Sequence, residues 1–277
     1  MSRWFGFMCN DPERVACALY PAREALVEER APDGWGLAFY QGGEVLLQRH
    51  PKPATMLDLY TQSSGLRTDY LVGHVRGPGT PAKLDNTQPY RFRQWVFAQA
   101  GVLDAFDKIR DKLLDAVPDF LRRNIRGQND SEHLFHVFLS FLHDGGKIDD
   151  PNIRVNEAAG ALGATVALSR SLVEAAGGQV DGVSAVTTNG RVMIGLRTTD
   201  PMWVRQVNGI ASCPVCREKP ELRNDKRRTV HEHLRATIIL SDVDKPKTEG
   251  WEDVPPHSVV GISRDLTRSI VPIRPLT

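Results

Sequence analysis

Apolar residues fall into short runs towards both ends of this chain and into longer helical stripes in its middle. Arg3–Cys9 is an apolar run that begins almost at the terminus and reads as a buried strand. Val15, Leu19, Ala22 and Leu26 recur at helical spacing, which predicts a helix over Glu13–Glu29. Trp35–Tyr40 and Glu44–Arg49 flank Gln41-Gly42-Gly43, a hairpin signal because glycine reaches the positive φ of such turns. Met56–Tyr60 suggests at least one helical turn. Tyr70–Val75 and Trp95–Ala98 read as buried strands on either side of an irregular Gly/Pro-rich stretch, Gly77 to Pro89. Leu103–Leu114 and Ser131–His143 read as helices. In the second, Leu134, Val137, Phe138, Phe141 and Leu142 share a face, and Asp130 or Ser131 stands at the N-cap. His133, His136 and His143 on the same stretch read as ordinary helix residues. Asn156–Ala176 is a further amphipathic helix, ended by Gly177-Gly178.

Strands then return. Gly182–Thr188 and Val192–Arg197 flank Asn189-Gly190, a strong short hairpin signal. Met202–Gln206 and Thr237–Ser241 are further strands, and Val259–Ile262 with Ser269–Ile273 forms a last hairpin. Strands, then helices, then strands again predict an α+β fold with antiparallel sheets and helices packed on them. No break in composition forces a second domain. The expectation is one domain over residues 1–277, with a Cys/His-containing insert at about 210–235.

Composition narrows the function classes. With 41% hydrophobic residues and a net charge of +1, the 277-residue chain has the make-up of a globular protein with a sizeable core. That charge does not point to nucleic acid or an anionic membrane. No run approaches the roughly 18 apolar residues of a membrane span, and the N-terminus lacks the features of a signal peptide. Cys9, Cys17, Cys213 and Cys216 are too few for a disulfide scaffold, which suggests a reducing, cytoplasmic setting.

Ser2 is the first candidate for chemistry. Removal of Met1 would leave it with both a hydroxyl and a free α-amine, and an amine of pKa near 8 can serve as base toward its own side chain. Many chains begin Met-Ser without using either group. The segments that follow give this start a context. Asp33-Gly34-Trp35-Gly36, His74-Val75-Arg76, Asp85-Asn86-Thr87-Gln88-Pro89-Tyr90, Ala98-Gln99-Ala100-Gly101 and Asp130-Ser131-Glu132-His133-Leu134-Phe135 occur in this order after Met1-Ser2-Arg3. Together they resemble the class II glutamine amidotransferases, above all the stand-alone bacterial branch related to the γ-glutamyl hydrolase of ergothioneine synthesis. The likeness runs from residue 1 to about 145 and resumes at Trp251-Glu252-Asp253-Val254-Pro255-Pro256. It implies an N-terminal-nucleophile hydrolase fold, a four-layer αββα sandwich of two antiparallel sheets between helix layers. It also implies a glutamine-like or γ-glutamyl small-molecule substrate and no catalytic cofactor. Arg76 would pair with the substrate α-carboxylate, Asp130 would take the α-ammonium, and Gly101 N–H would form part of the oxyanion hole. A structural ion pair for Arg76 and a helix cap for Asp130 are the competing roles.

The departures from the family pattern sit where the chemistry should be. Members begin Met-Cys; here Ser2 follows Met1. Members carry Ala-His-Asn-Gly, whose Asn completes the oxyanion hole; here the Asn position is Ala100. Asn-Thr-His-Pro-Phe becomes Asn86-Thr87-Gln88-Pro89-Tyr90, and Gly-Asp-Thr-Asp-Ser-Glu becomes Gly127-Gln128-Asn129-Asp130-Ser131-Glu132. Loss of one oxyanion donor typically lowers a rate by about 10²–10³, and a serine hydroxyl is harder to activate than a thiol. Gln99 is the nearest side chain that could refill the hole. Impaired hydrolysis is therefore expected, with a ligand-binding pseudoenzyme as the alternative.

A second constellation lies in the insert. Cys213-Pro214-Val215-Cys216 followed by His231-Glu232-His233 could supply four ligands to a structural zinc, since i and i+2 on a strand share a face. A redox-active Cys-x-x-Cys and solvent-facing histidines are the other readings. Arg217–Arg235 holds seven Lys/Arg and four Asp/Glu, a basic run that suits a solvated loop and, in the rival reading, contact with phosphates or a protein partner. A zinc-stabilised interaction module is thus the rival from a different class.

Overall fold

A computed structural model describes residues 2–28, 31–52, 56–77, 83–179, 182–219 and 230–273. Strand β1 (Arg3–Cys9) leads through α1 (Val15–Leu19) to β2 (Val27–Glu28), the hairpin β3 (Gly34–Gln41) and β4 (Glu44–His50), β5 (Leu57–Asp58), α2 (Leu59–Ser64) and β6 (Tyr70–Arg76). The strands β7 (Tyr90–Phe92) and β8 (Trp95–Ala100) precede the helices α3 (Phe106–Asp115), α4 (Asp119–Arg122), α5 (Asp130–Asp144) and α6 (Val155–Ala175). After them come β9 (Ser184–Thr188), β10 (Met193–Arg197), β11 (Met202–Ile210), α7 (Pro214–Arg217), β12 (His231–Ser241), β13 (Glu252–Asp253), β14 (Ser258–Ile262) and β15 (Arg268–Pro272).

Two large sheets result. One is seven-stranded in the order β13-β11-β12-β1-β6-β3-β4, the other six-stranded in the order β15-β14-β10-β9-β8-β7, and neighbouring strands are antiparallel in both. Alternation along β1 and β8 explains how they stack. Trp4 and Met8 join Val96, Ala98 and Ala100 in a core between the sheets. Phe5, Phe7 and Cys9 turn the other way, onto α1 and the Cys213–Cys216 segment. Trp95 and Phe97 turn outward onto α3, α5 and α6. β1 is buried on both faces, so it is a continuous apolar run and not an alternating one. The layers are helix, sheet, sheet, helix, as expected for an N-terminal-nucleophile hydrolase fold.

Local chemistry accounts for the differences from the sequence reading. The helix expected over Glu13–Glu29 is α-helical only from Val15 to Leu19. Pro21 lacks an N–H, and the chain tightens there into a 3-10 turn over Tyr20–Ala22. The N-cap of α5 is Asn129, whose Oδ1 accepts from Glu132 N (3.3 Å), so Asp130 becomes the first helical residue and not the cap. β12 begins at His231, six residues before the Thr237 predicted for it.

Candidate active site

The site is built at one end of the sandwich, where strands of both sheets finish. Arg3 pairs with Val75 and turns its guanidinium outward to Val27 O (2.7 Å). The same alternation turns Ser2 and Trp4 inward and sets Ser2 opposite Arg76. Trp4 reaches across to the other sheet, its indole N–H donating to Ser184 Oγ (3.0 Å). Ser184 is the register partner of Ala100. The start of β1, the end of β6 and the end of β8 therefore share one edge of the interior. Ser2 Oγ accepts from Gly77 N (3.3 Å), directly after Arg76.

Arg76 is half-buried, and its Nη1 donates to Asn86 O at 3.4 Å. Among the described residues no carboxylate lies within ion-pair distance of it, so the structural ion pair considered for it is not formed there. Asp130 has both oxygens in use. Oδ2 accepts from Leu103 N (2.8 Å), and Oδ1 accepts from Ser131 N (2.7 Å) and Ser131 Oγ (3.1 Å). It ties the turn after Gly101 to the start of α5, and of the carboxylate's about four lone-pair sites one, on Oδ2, is left for a further donor. Gly101 sits at φ +90°, and a Cβ there would lie 2.2 Å from Gly182 O, so only glycine fits.

Position 100, expected from the resemblance to line the oxyanion hole, carries no donor. Ala100 is 1% exposed and faces the core between the sheets without a side-chain donor. Gln99 lies on the opposite face of β8. Its Nε2 donates to Ala100 O (3.0 Å) and Gly101 O (2.9 Å), which commits both of its N–H donors. Gln99 therefore has no free N–H to offer at position 100, and its Oε1 is buried without a hydrogen-bond partner among the described residues.

Around these residues runs a network that sequence reasoning missed. Gln88 Nε2 donates to Gln99 O (2.9 Å) and lies 3.3 Å from both His74 Nε2 and Ser131 Oγ, while Gln88 Oε1 accepts from Gln99 N (2.6 Å). Burial, and then the Arg76 charge, push His74 down to about 3, so its ring is neutral at pH 7. The Glu132 carboxylate accepts from Arg126 N (3.1 Å) and Gly127 N (2.5 Å). Asn86 Oδ1 accepts from Gln128 N (3.0 Å), and Asn129 Nδ2 donates to Tyr90 Oη (2.6 Å). Residues 85–90 are thereby clamped to the start of α5. The signal was present in the sequence as the polar tract around Gln88 and Glu132, but no pattern along the chain pairs them. His133 and His136 are structural, each with Nδ1 2.8 Å from the carbonyl four residues earlier.

The Cys/His constellation takes a different form from the expected one. Cys17, Cys213, Cys216 and His231 bring their ligand atoms within 4.8 Å of one another. His233, expected beside His231, is exposed and apart from them. The reason is a bulge: Asn208 pairs with Arg235 but Ile210 pairs with His231, so extra residues of β12 are looped out and the alternation is lost. Cys17, from α1, stands where His233 was expected. Of the basic run Arg217–Arg235, residues 220–229 lie outside the described residues.

Comparison with known proteins identifies relatives of this chain. The sequence profile of the class II glutamine amidotransferases matches residues 1–206. A probable glutamine amidotransferase of Saccharomyces cerevisiae, DUG3, is 29% identical over 119 residues, covering 40% of this chain and 33% of the yeast protein. The chain thus matches about a third of the length of that curated relative. Among solved structures, a predicted glutamine amidotransferase from Pseudomonas aeruginosa superposes with a TM-score of 0.59 at 16% identity, over 97% of this chain and 99% of that one. A glutamine aminotransferase class-II domain protein from Silicibacter pomeroyi gives 0.58 at 18% identity, over 99% and 100%. The glutamine PRPP amidotransferase of B. subtilis gives 0.55 at 12% identity, over 98% of this chain and 49% of that one. With the profile spanning most of its length and the sandwich assembled around Ser2, Arg76 and Gly101, the chain belongs to the class II glutamine amidotransferase family.

Proposed function

We propose that this protein binds glutamine or a γ-glutamyl amide at the Ser2 end of the sandwich and turns it over slowly or not at all. The observation that carries the reading is the pair Ala100 and Gln99. The first offers no donor, and the second commits its donors to backbone carbonyls. Arg76, without a carboxylate partner among the described residues, supports retained recognition of an amino-acid carboxylate, because a guanidinium can grip it bidentately. Asp130 is held at the start of α5 with one lone-pair site of Oδ2 left for an α-ammonium.

Hydrolysis, where it occurs, uses these residues in a defined way. With Met1 removed, the Ser2 amine takes the hydroxyl proton as Oγ attacks the amide carbonyl. Gly101 N–H receives the oxyanion alone, and the amine returns the proton to the departing ammonia. Water then cleaves the acyl ester, giving glutamate and free Ser2. The Gly77 N–H that holds Ser2 Oγ favours this second reading, since it fixes the hydroxyl beside Arg76.

Calorimetric titration of L-glutamine and γ-glutamyl amides into wild type and Arg76→Ala tests the binding, and glutamate release by wild type and Ser2→Ala tests the turnover. Binding that Arg76→Ala abolishes, with release at or near the Ser2→Ala background, is expected. Absence of binding by wild type overturns the recognition. Fast release that depends on Ser2 overturns the impairment.

A further inference from the structure

Three of the four cysteines converge outside the site just described. Cys17 lies on α1, Cys213 caps the N-terminus of α7, Cys216 lies on α7, and His231 opens β12. The three sulfurs are buried, and all are free thiols. Cys17 Sγ and Cys216 Sγ are 3.7 Å apart, and Cys216 Sγ is 3.4 Å from His231 Nε2. A zinc ion bound tetrahedrally at about 2.3 Å to sulfur and about 2.0–2.1 Å to imidazole nitrogen requires S···S edges of about 3.8 Å and S···N edges of about 3.6 Å. These two separations match the edges of such a tetrahedron, and all four ligand atoms lie within 4.8 Å of one another. The fourth cysteine is elsewhere, its Sγ 3.2 Å from Asp11 O and 3.7 Å from Thr68 O.

We propose that Cys17, Cys213, Cys216 and His231 form a closed structural zinc site that fastens the N-terminal helix to the connection between β11 and β12. Three thiolates and a neutral imidazole around a divalent ion leave one negative charge. Arg14 Nη1, 3.9 Å from Cys216 Sγ, stands beside it and balances that charge. Three thiols and an imidazole within 4.8 Å of one another form a donor set that a cation can hold as thiolates. The protein supplies all four ligands, which is the arrangement of a structural and not a catalytic zinc. The site also lies on the helix-facing side of the seven-stranded sheet, with the core that holds Phe5 and Phe7, while Ser2 faces the space between the sheets. The metal takes no part in amide chemistry, and the proposal stands whatever that chemistry proves to be.

Metal analysis of the full chain, purified without chelator, tests the site. About one zinc per chain is expected in wild type and in His233→Ala, with loss of the metal in Cys17→Ser. Metal kept by Cys17→Ser and lost by His233→Ala overturns the ligand set. Should Cys17→Ser fail to fold, wild type loaded with cobalt(II) reads the donors without a substitution. Thiolate charge-transfer bands with intense tetrahedral d–d bands are expected, and a weak octahedral spectrum overturns the proposal. Metal-free wild type of unchanged thermal stability, or a mass two hydrogens short from a disulfide within the cluster, overturns it as well.

Discussion

Ala100 is a small residue with a large consequence. Its methyl group packs into the core between the sheets and offers no side-chain donor there; under the proposed function, that leaves Gly101 N–H to meet the oxyanion alone. Gln99, one residue earlier, faces the other way because side chains alternate along a strand. Gly101 itself tolerates no replacement. Gly101→Ala places an L-residue at φ +90° against the Gly182 carbonyl, so urea denaturation is expected to show a loss of about 1–3 kcal/mol or more. That positions 2 and 100 hold serine and alanine is read directly from the sequence. The engagement of Gln99 with its neighbouring carbonyls was not legible. It depends on a side-chain rotamer and a turn, and residue spacing encodes neither.

Single elements were read well where the pattern was local. β1, β6 and the hairpins follow from apolar runs and turn residues, and α5 and α6 from helical spacing. The failures have physical causes of longer range. α1 stops early because Pro21 cannot continue the helix, a rule that the helical spacing through Leu26 masked. β12 carries a bulge opposite Gly209, which sits at φ +77° with Glu232 O close above it, and the bulge separates His231 from His233. No count of intervening residues reveals a bulge that the partner strand defines. Cys17 and Cys216 are 199 residues apart in the chain, and only the packing of α1 on α7 joins them. At this scale Glu132 is the test of the clamp. Glu132→Ala strands two backbone N–H groups that now meet a carboxylate, with an expected loss of about 1.5–3 kcal/mol by urea denaturation. Weaker glutamine binding should accompany it, because residues 85–90 and Arg76 lose their common support. Glu132→Gln should recover part of the stability.

The whole molecule is two sheets held face to face, and a short polar relay crosses between them near the site. Trp4 donates to Ser184, and Ser184 Oγ donates to Asp242 (3.1 Å) at the end of β12. Burial, joined by repulsion from Asp200 against the bonds from Ser241 and Ser184, pushes the Asp242 carboxyl up from 3.8 to about 7. Between those values the folded protein holds a proton that the unfolded chain has released. The stability this gives is fully present below about pH 3.8, falls as pH rises and is lost above about 7. Asp242→Asn keeps the shape, suits the φ of +52°, and removes this titration. Denaturation at several pH values is expected to show the variant gaining on wild type by on the order of 1 kcal/mol or more between about pH 4 and about pH 8. An unchanged difference across that range would remove Asp242 from the account.

The sandwich is the frame of the class II glutamine amidotransferases, and the proposed function holds that alanine at position 100 costs it an oxyanion donor, which a substitution can restore. Ammonia release from L-glutamine by wild type and by Ala100→Asn, measured side by side on folded protein, tests it most directly. Restoring the donor is expected to raise the rate by about 10²-fold, even with Ser2 as nucleophile. A rate that Ala100→Asn leaves unchanged, in a variant that keeps its fold and still binds glutamine, would contradict the proposal that position 100 limits turnover.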